Sequence, residues 1–270
     1  MSFVKMTTAL WEELHVPNKD IVSVTNLITY SGNGYGSIKS VLTLGHKAEF
    51  KGYSKLCIEH GKKNESICLE YLKRRLGKRF HFFQPSANQI TQIEGKLMGT
   101  VDCFLRDEET GALGILEIKC PYGRRFGRGF DDPDMMETEI IQKILNTRTP
   151  QKDSNFRHWL QLQLYLFMNE KWGAEFGVLA YFFPEGGDRG GPLAILLHFQ
   201  RDESFSQWFN PNKLVEEYFS DLERGSMEGG NKRKKLTVPH GITKPYLVER
   251  LQEGVVSSME IELPRYPMGL

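Results

Sequence analysis

An aspartate at position 102 and the triplet Glu117-Ile118-Lys119 stand fourteen residues apart, each set inside a run of apolar, strand-forming residues. The first run is Leu97 to Leu105, the second Gly114 to Cys120, and Asp107 to Gly111 between them carries turn chemistry, so the pair reads as a β-hairpin. Side chains alternate faces along a strand, which puts Glu117 and Lys119 on one face and Leu116, Ile118 and Cys120 on the other. If Asp102 sits near the same end of the neighbouring strand, two carboxylates and an ammonium converge on one small volume. The apolar flanks argue burial, and charges are seldom buried unless paired or bound to metal. Oxygen ligands of this kind suit Mg²⁺ or Mn²⁺. A metal held there beside a lysine is equipment for phosphodiester cleavage. Taken by itself, Glu-x-Lys on a solvent-facing strand is a common exposed pair.

Two other segments carry polar residues among apolar ones. Around Gly61-Lys62-Lys63-Asn64-Glu65, the positions Ile58, Cys68, Leu69 and Leu72 have helical spacing relative to Glu65, which places that glutamate on a buried face. His158 to Met168 is apolar nearly all round and reads as a core helix, in which His158, Gln161 and Tyr165 form one stripe while Gln163 points the opposite way.

Asp102 followed by Glu117-Ile118-Lys119 resembles the PD-(D/E)xK nuclease motif, with Val101 in place of its proline, and Leu116-Glu-Ile-Lys-Cys-Pro-Tyr122 is similar to the phage lambda exonuclease and YqaJ-type branch. The resemblance extends over most of residues 55 to 185. It implies a restriction-endonuclease-like α/β core, a mixed central β-sheet flanked by helices. It also implies Mg²⁺-dependent exonucleolysis of linear double-stranded DNA from 5′ ends, with a pair of ions replaceable by Mn²⁺. Asp102, Glu117, the Ile118 carbonyl and Glu65 would hold the metals, Lys119 would position the nucleophile, and Gln161 would support the water or phosphate. Gln163 would be a core or DNA-facing residue, and His158 would lie on the DNA side. In that branch an arginine and hydroxyl residues near the N-terminus hold the 5′-phosphate. Here no arginine precedes residue 74, and Ser23 and Thr25 occupy the corresponding place. The setting implied is viral or phage recombination and genome processing, with DNA ends as substrate, a single-strand annealing protein as partner and a ring trimer as assembly. An endonuclease of the same superfamily acting on DNA or RNA, or a catalytically silent nucleic-acid-binding module, are the alternatives.

A net charge of only +1 means that a polyanion must be attracted by local patches. The candidates are Lys73, Arg74, Arg75, Lys78 and Arg79, and the glycine-rich segment with Arg124, Arg125 and Arg128 that follows the catalytic strand directly. The four cysteines have no metal-type or disulfide-type spacing, and no apolar run approaches the length of a membrane span, so an intracellular protein of the cytoplasm or a host nucleus is expected, not a secreted one.

Residues 1–225 are expected to be a single nuclease domain, helical to about residue 78 and an α/β core beyond, with 226–270 a polar basic extension. Further expectations are a helix from Thr7 to Leu14, a loop at Gly32 to Gly36, an acidic helix from Asp132 to Leu145, strands at 176–183 and 193–199, and a last helix from Glu203 to Leu222.

Overall fold

The computed structural model describes residues 20–34, 37–43, 51–83, 90–93, 96–122, 154–186, 191–224, 245–252 and 255–260. The expected helices at 7–14 and 132–145 and the arginines at 124, 125 and 128 lie outside them.

The chain builds β1 (Val22–Ser23), α1 (Val24–Tyr30), α2 (Ile38–Leu42), the long α3 (Tyr53–Leu76), β2 (Phe80–Phe83), β3 (Ile90–Ile93), β4 (Leu97–Thr100), β5 (Cys103–Asp107) and β6 (Leu113–Lys119). Then follow α4 (Ser154–Met168), β7 (Ala174–Phe183), β8 (Leu193–Gln200), α5 (Phe205–Trp208), α6 (Pro211–Glu223), β9 (Leu247–Gln252) and β10 (Val255–Glu260). Seven strands form the central sheet in the order β10-β9-β8-β7-β6-β5-β2, and β1-β4-β3 form a small second sheet. The central sheet is mixed because β6 and β7 run parallel, joined by a crossover containing α4, while every other neighbouring pair in it is antiparallel.

Period-two alternation gives the sheet two apolar faces. Ile115, Leu179, Tyr181, Ile195, Leu197 and Val248 pack with α1, α4 and α6. Leu116, Ile118, Val178, Ala180, Phe182, Leu196 and Leu251 pack with Cys68, Leu69 and Leu72 of α3. The fold is thus the expected α/β core, helices on both faces of a mixed sheet.

Three details depart from expectation. The nine-residue run from Leu97 is not one strand: it crosses from the small sheet into the central one at Val101 and Asp102. The last helix is broken, since Pro211 lacks an amide hydrogen and disfavours helical backbone before it; Asn210 adopts φ 46° and caps α6 by accepting from Lys213 N–H at 3.1 Å. Finally, within the expected loose extension, residues 247–252 and 255–260 supply two strands of the central sheet. Glu249, buried on β9, accepts from Arg79 Nη1 through both carboxylate oxygens at 2.9 Å and lies against His198. Arg75 donates to the Gln252 carbonyl at 2.8 Å. Part of the first basic cluster therefore ties β9 to the end of α3. No helix among the described residues is long and apolar enough to cross a membrane.

Candidate active site

The hairpin forms as its residues require. Asp107 Oδ1 accepts from the backbone of Glu109 and Thr110 at 3.0 and 2.9 Å, and Gly111 takes φ 74°, closing the turn between β5 and β6. Pairing runs from Arg106↔Leu113 to Cys103↔Leu116 and stops there, where the chain leaves for the other sheet. Beyond the last pair, Ile118 N–H is taken by a side chain instead: it donates to Asp102 Oδ2 at 2.6 Å. Asp102 thereby terminates the ladder and stands in the gap where the strands part. A strand residue's N–H and C=O point to the same side, so the Ile118 carbonyl faces that gap too.

Glu117 is buried, 3% exposed, with Lys119 beside it on the same face. The Lys119 ammonium donates to Glu117 Oε1 and, at 3.3 Å, to Gln161 Oε1. Gln161 Nε2 in turn donates to the Tyr165 hydroxyl at 3.1 Å. The amide is oriented from both ends, which fixes the lysine over the carboxylate. Gly99 allows this closeness: a Cβ there would lie 2.4 Å from Tyr165 Cε1. His158, on the same stripe of α4, has Nδ1 3.0 Å from the Tyr181 hydroxyl. Burial, with Lys119 and Arg157 nearby, holds its pKa well below the usual imidazole value, so the ring is neutral.

The carboxylates repel one another. Burial first, then the charges of Glu117 and Glu65, push the Asp102 carboxyl well above its usual range, against the opposing pull of Lys119 and the Ile118 amide. Burial and Glu117 likewise raise Glu65, while Lys119 and Lys62 lower it. Glu65 departs from its expected burial. It lies on the arc of α3 that carries Cys68 and Leu72, but the apolar core ends before it: the residue as a whole is exposed, although the groups around its carboxyl shield it enough from water to raise it. Tyr165 completes the surroundings, near enough to Glu117 and Asp102 for their charges to act on it, and its place on the Gln161 stripe was its sequence signal.

Other expected residues fall elsewhere. Gln163 is a core residue, 1% exposed: it donates to the Gln200 carbonyl and accepts from Asp202 N–H, both at 2.9 Å, which removes it from any DNA surface. Ser23 is also buried, its hydroxyl accepting from Asn26 N–H at 3.2 Å as the cap of α1, and only Thr25 of that pair is exposed.

The donor set, carboxylate and carbonyl oxygens, is of the kind that suits a hard divalent cation such as Mg²⁺ or Mn²⁺. Glu117 Oε2 is buried and meets no hydrogen-bond donor among the described residues, a costly arrangement for a carboxylate oxygen unless a cation faces it. No three His, Cys, Asp or Glu side chains among the described residues are grouped to enclose an ion by themselves. Mg²⁺ needs no such cage, since it binds through one or two carboxylates and retains waters. A thiolate site is disfavoured: burial raises the Cys68 thiol and pushes Cys120 up to about 12, so both stay protonated.

No family profile matches the sequence, and no curated protein matches it either. Solved structures do match. The chain is similar to an alkaline exonuclease, LHK-Exo from Laribacter hongkongensis, with a TM-score of 0.52 and 12% identity, covering 81% of this chain and 94% of that one. It also matches a phage related exonuclease from Haemophilus somnus 129PT, with a TM-score of 0.46 and 12% identity over 80% of this chain and 99% of that one. The first likeness bears on the fold: this chain shares with that solved structure a mixed sheet flanked by helices.

Proposed function

We propose that this protein is a divalent-metal-dependent exonuclease that shortens linear double-stranded DNA, acting from 5′ ends in phage-type or viral DNA processing. The observation that carries the reading is the buried, unbonded Glu117 Oε2 beside Asp102 and Lys119, set where β5 and β6 part. The alkaline-exonuclease fold supports the choice of substrate class.

Asp102, Glu117 and the Ile118 carbonyl would hold Mg²⁺, with Glu65 at the rim contributing through water. When bound, Mg²⁺ supplies charge stabilisation at the phosphate and a more acidic attacking water. The chain's own groups do the rest. Lys119, held by Glu117 and Gln161, presents a fixed ammonium to the charge that develops on the phosphate. Tyr165 keeps Gln161 from rotating its oxygen away. The neutral His158 adds no positive charge of its own beside Lys119.

End-labelled linear duplex, covalently closed circles and RNA of matched length, each incubated with Mg²⁺ and then with EDTA, test this reading. Progressive shortening of the linear duplex alone, stopped by EDTA, is expected. Linearisation of circles at a comparable rate makes the protein an endonuclease, and RNA as the sole substrate overturns the DNA assignment.

A further inference from the structure

The hydrogen bonds around Lys119 have a fixed direction, and following them leaves one proton unused. An ammonium can only donate, so the Gln161 atom facing Lys119 is the carbonyl oxygen Oε1, 3.3 Å away. The amide nitrogen then faces Tyr165, which makes the phenol oxygen an acceptor at 3.1 Å. The Thr100 backbone N–H donates to the same oxygen from β4. Two donors occupy both lone pairs of the hydroxyl, so its own O–H must point elsewhere. It meets no acceptor among the described residues. Burial first, then the charge of Glu117, raises the pKa of Tyr165 well above the usual phenol value, so the group keeps its proton and remains a donor.

That proton lies close to acceptors it does not reach. Tyr165 is 4% exposed, and the charges of Glu117 and Asp102 both act on its hydroxyl. Glu117 Oε2 is the complementary case, a buried acceptor without a donor. The ring cannot swing to join them. It is lodged against Gly99, where a Cβ would lie 2.4 Å from Cε1, and its hydroxyl is tethered by Gln161 and Thr100. A buried donor and a buried acceptor that feel each other's charge but are not bonded to each other are satisfied most simply through an oxygen atom set between them.

We infer that Tyr165 is a positioning residue for the cation, its hydroxyl donating to a hydration water of the divalent ion that Glu117 and Asp102 would hold. Mg²⁺ and Mn²⁺ bound through one or two carboxylates keep several waters, and donors or acceptors fixed outside that shell raise the affinity for the ion. A phenol suits the position because it offers a proton without adding a charge that repels the ion. The inference rests on the metal-dependent nuclease reading, but it concerns the affinity for the ion, which is measurable without DNA.

Tyr165→Phe keeps the ring against Gly99 and removes the hydroxyl. Binding of Mn²⁺ to the full chain without nucleic acid, read from the EPR signal of the free ion, is compared for native protein, Tyr165→Phe, Gln161→Leu and the double variant. Urea unfolding in EDTA checks that each is folded, and digestion of linear duplex in Mg²⁺ is run alongside. Tyr165→Phe should bind Mn²⁺ ~10-fold more weakly than native protein. The double variant should bind ~10-fold more weakly than Gln161→Leu, because the contact with the water does not pass through the amide. The double variant strands no amide at position 161, so this second comparison carries the test if Tyr165→Phe alone is unstable. Native affinity in Tyr165→Phe overturns the inference, as does a loss that disappears in the Gln161→Leu background, which would show the hydroxyl acting only by holding the amide; digestion of duplex by the native protein leaves the nuclease reading standing in both cases. A native protein that binds Mn²⁺ through this hydroxyl and digests nothing upholds the role of Tyr165 and refutes the nuclease reading instead. Absence of Mn²⁺ binding by the native protein overturns both.

Discussion

Lys119→Ala separates two jobs that the ammonium performs at once. The lysine side chain is 22% exposed and its partner Glu117 only 4%, so removal leaves a carboxylate nearly enclosed with neither oxygen paired. Breaking such a pair from one side costs about 3 kcal/mol, the lower end for buried pairs. Glu117→Gln added to Lys119→Ala removes the stranded charge and should return about 2 kcal/mol of that loss. Turnover behaves differently. The ammonium meets charge that develops only in the transition state, so single-turnover cleavage should fall ~100-fold or more in Lys119→Ala. DNA affinity measured in Ca²⁺ should change far less, because binding is spread over many phosphate contacts. Urea unfolding of the two single variants and the double variant, with single-turnover rates for native protein and Lys119→Ala, completes the cycle. A Lys119→Ala protein that keeps native stability and cleaves normally once saturated would refute both roles.

Asp102→Asn keeps an oxygen for the Ile118 amide but deletes a repelled carboxylate, so in EDTA near neutral pH it should be at least as stable as the native protein while losing Mg²⁺-dependent cleavage; a stability loss above ~2 kcal/mol would show the charge to be structural. Because Asp102 and Glu65 titrate above their usual range, their contribution to the metal-free fold is full below the unfolded carboxylate pKa and declines as pH rises through the folded one. Mg²⁺ binds the charged forms, so the stabilisation by Mg²⁺ over EDTA, read by urea unfolding, should grow as pH rises above the ordinary carboxylate range, reaching about 2.7 kcal/mol at a hundredfold excess over Kd; a gain independent of pH would place the ion elsewhere. Gln161→Leu should lower turnover with modest loss of stability, whereas Gln163→Leu should lose about 1–3 kcal/mol of stability and leave turnover per folded molecule intact, as unfolding and active-site-normalised rates will report.

The central strands were readable as short apolar runs between turn signals, since both faces of the sheet are covered and burial of β6 is unbroken from Gly114 to Ile118. Glu117 and Lys119 share the face their spacing dictates. Asp102 was readable as a residue but not as a break, because the handover between two sheets is a tertiary event that a continuous apolar run conceals. The strand at 247–252 was hidden for a different reason: Glu249, Arg250 and Gln252 look like surface, and the groups that make Glu249 tolerable in the core, Arg79 and His198, are distant in sequence. Helical spacing pointed Glu65 toward the core side of α3 but carried no information on where the core ends. The opposite fates of Gln161 and Gln163 did follow from the helical period, one facing Lys119 and the other the interior.

Glu117 is where the account is most exposed, since its buried, unbonded oxygen is the reason for assigning a metal-dependent site at all. End-labelled linear duplex should be cut by native protein under single-turnover conditions in Mg²⁺ and left intact in EDTA. Glu117→Gln, folded to the same melting temperature or higher, should be slower by ~100-fold or more across the Mg²⁺ titration. Cleavage by Glu117→Gln at the native rate and with the native Mg²⁺ dependence would contradict the account, and would move the chemistry away from the gap between β5 and β6.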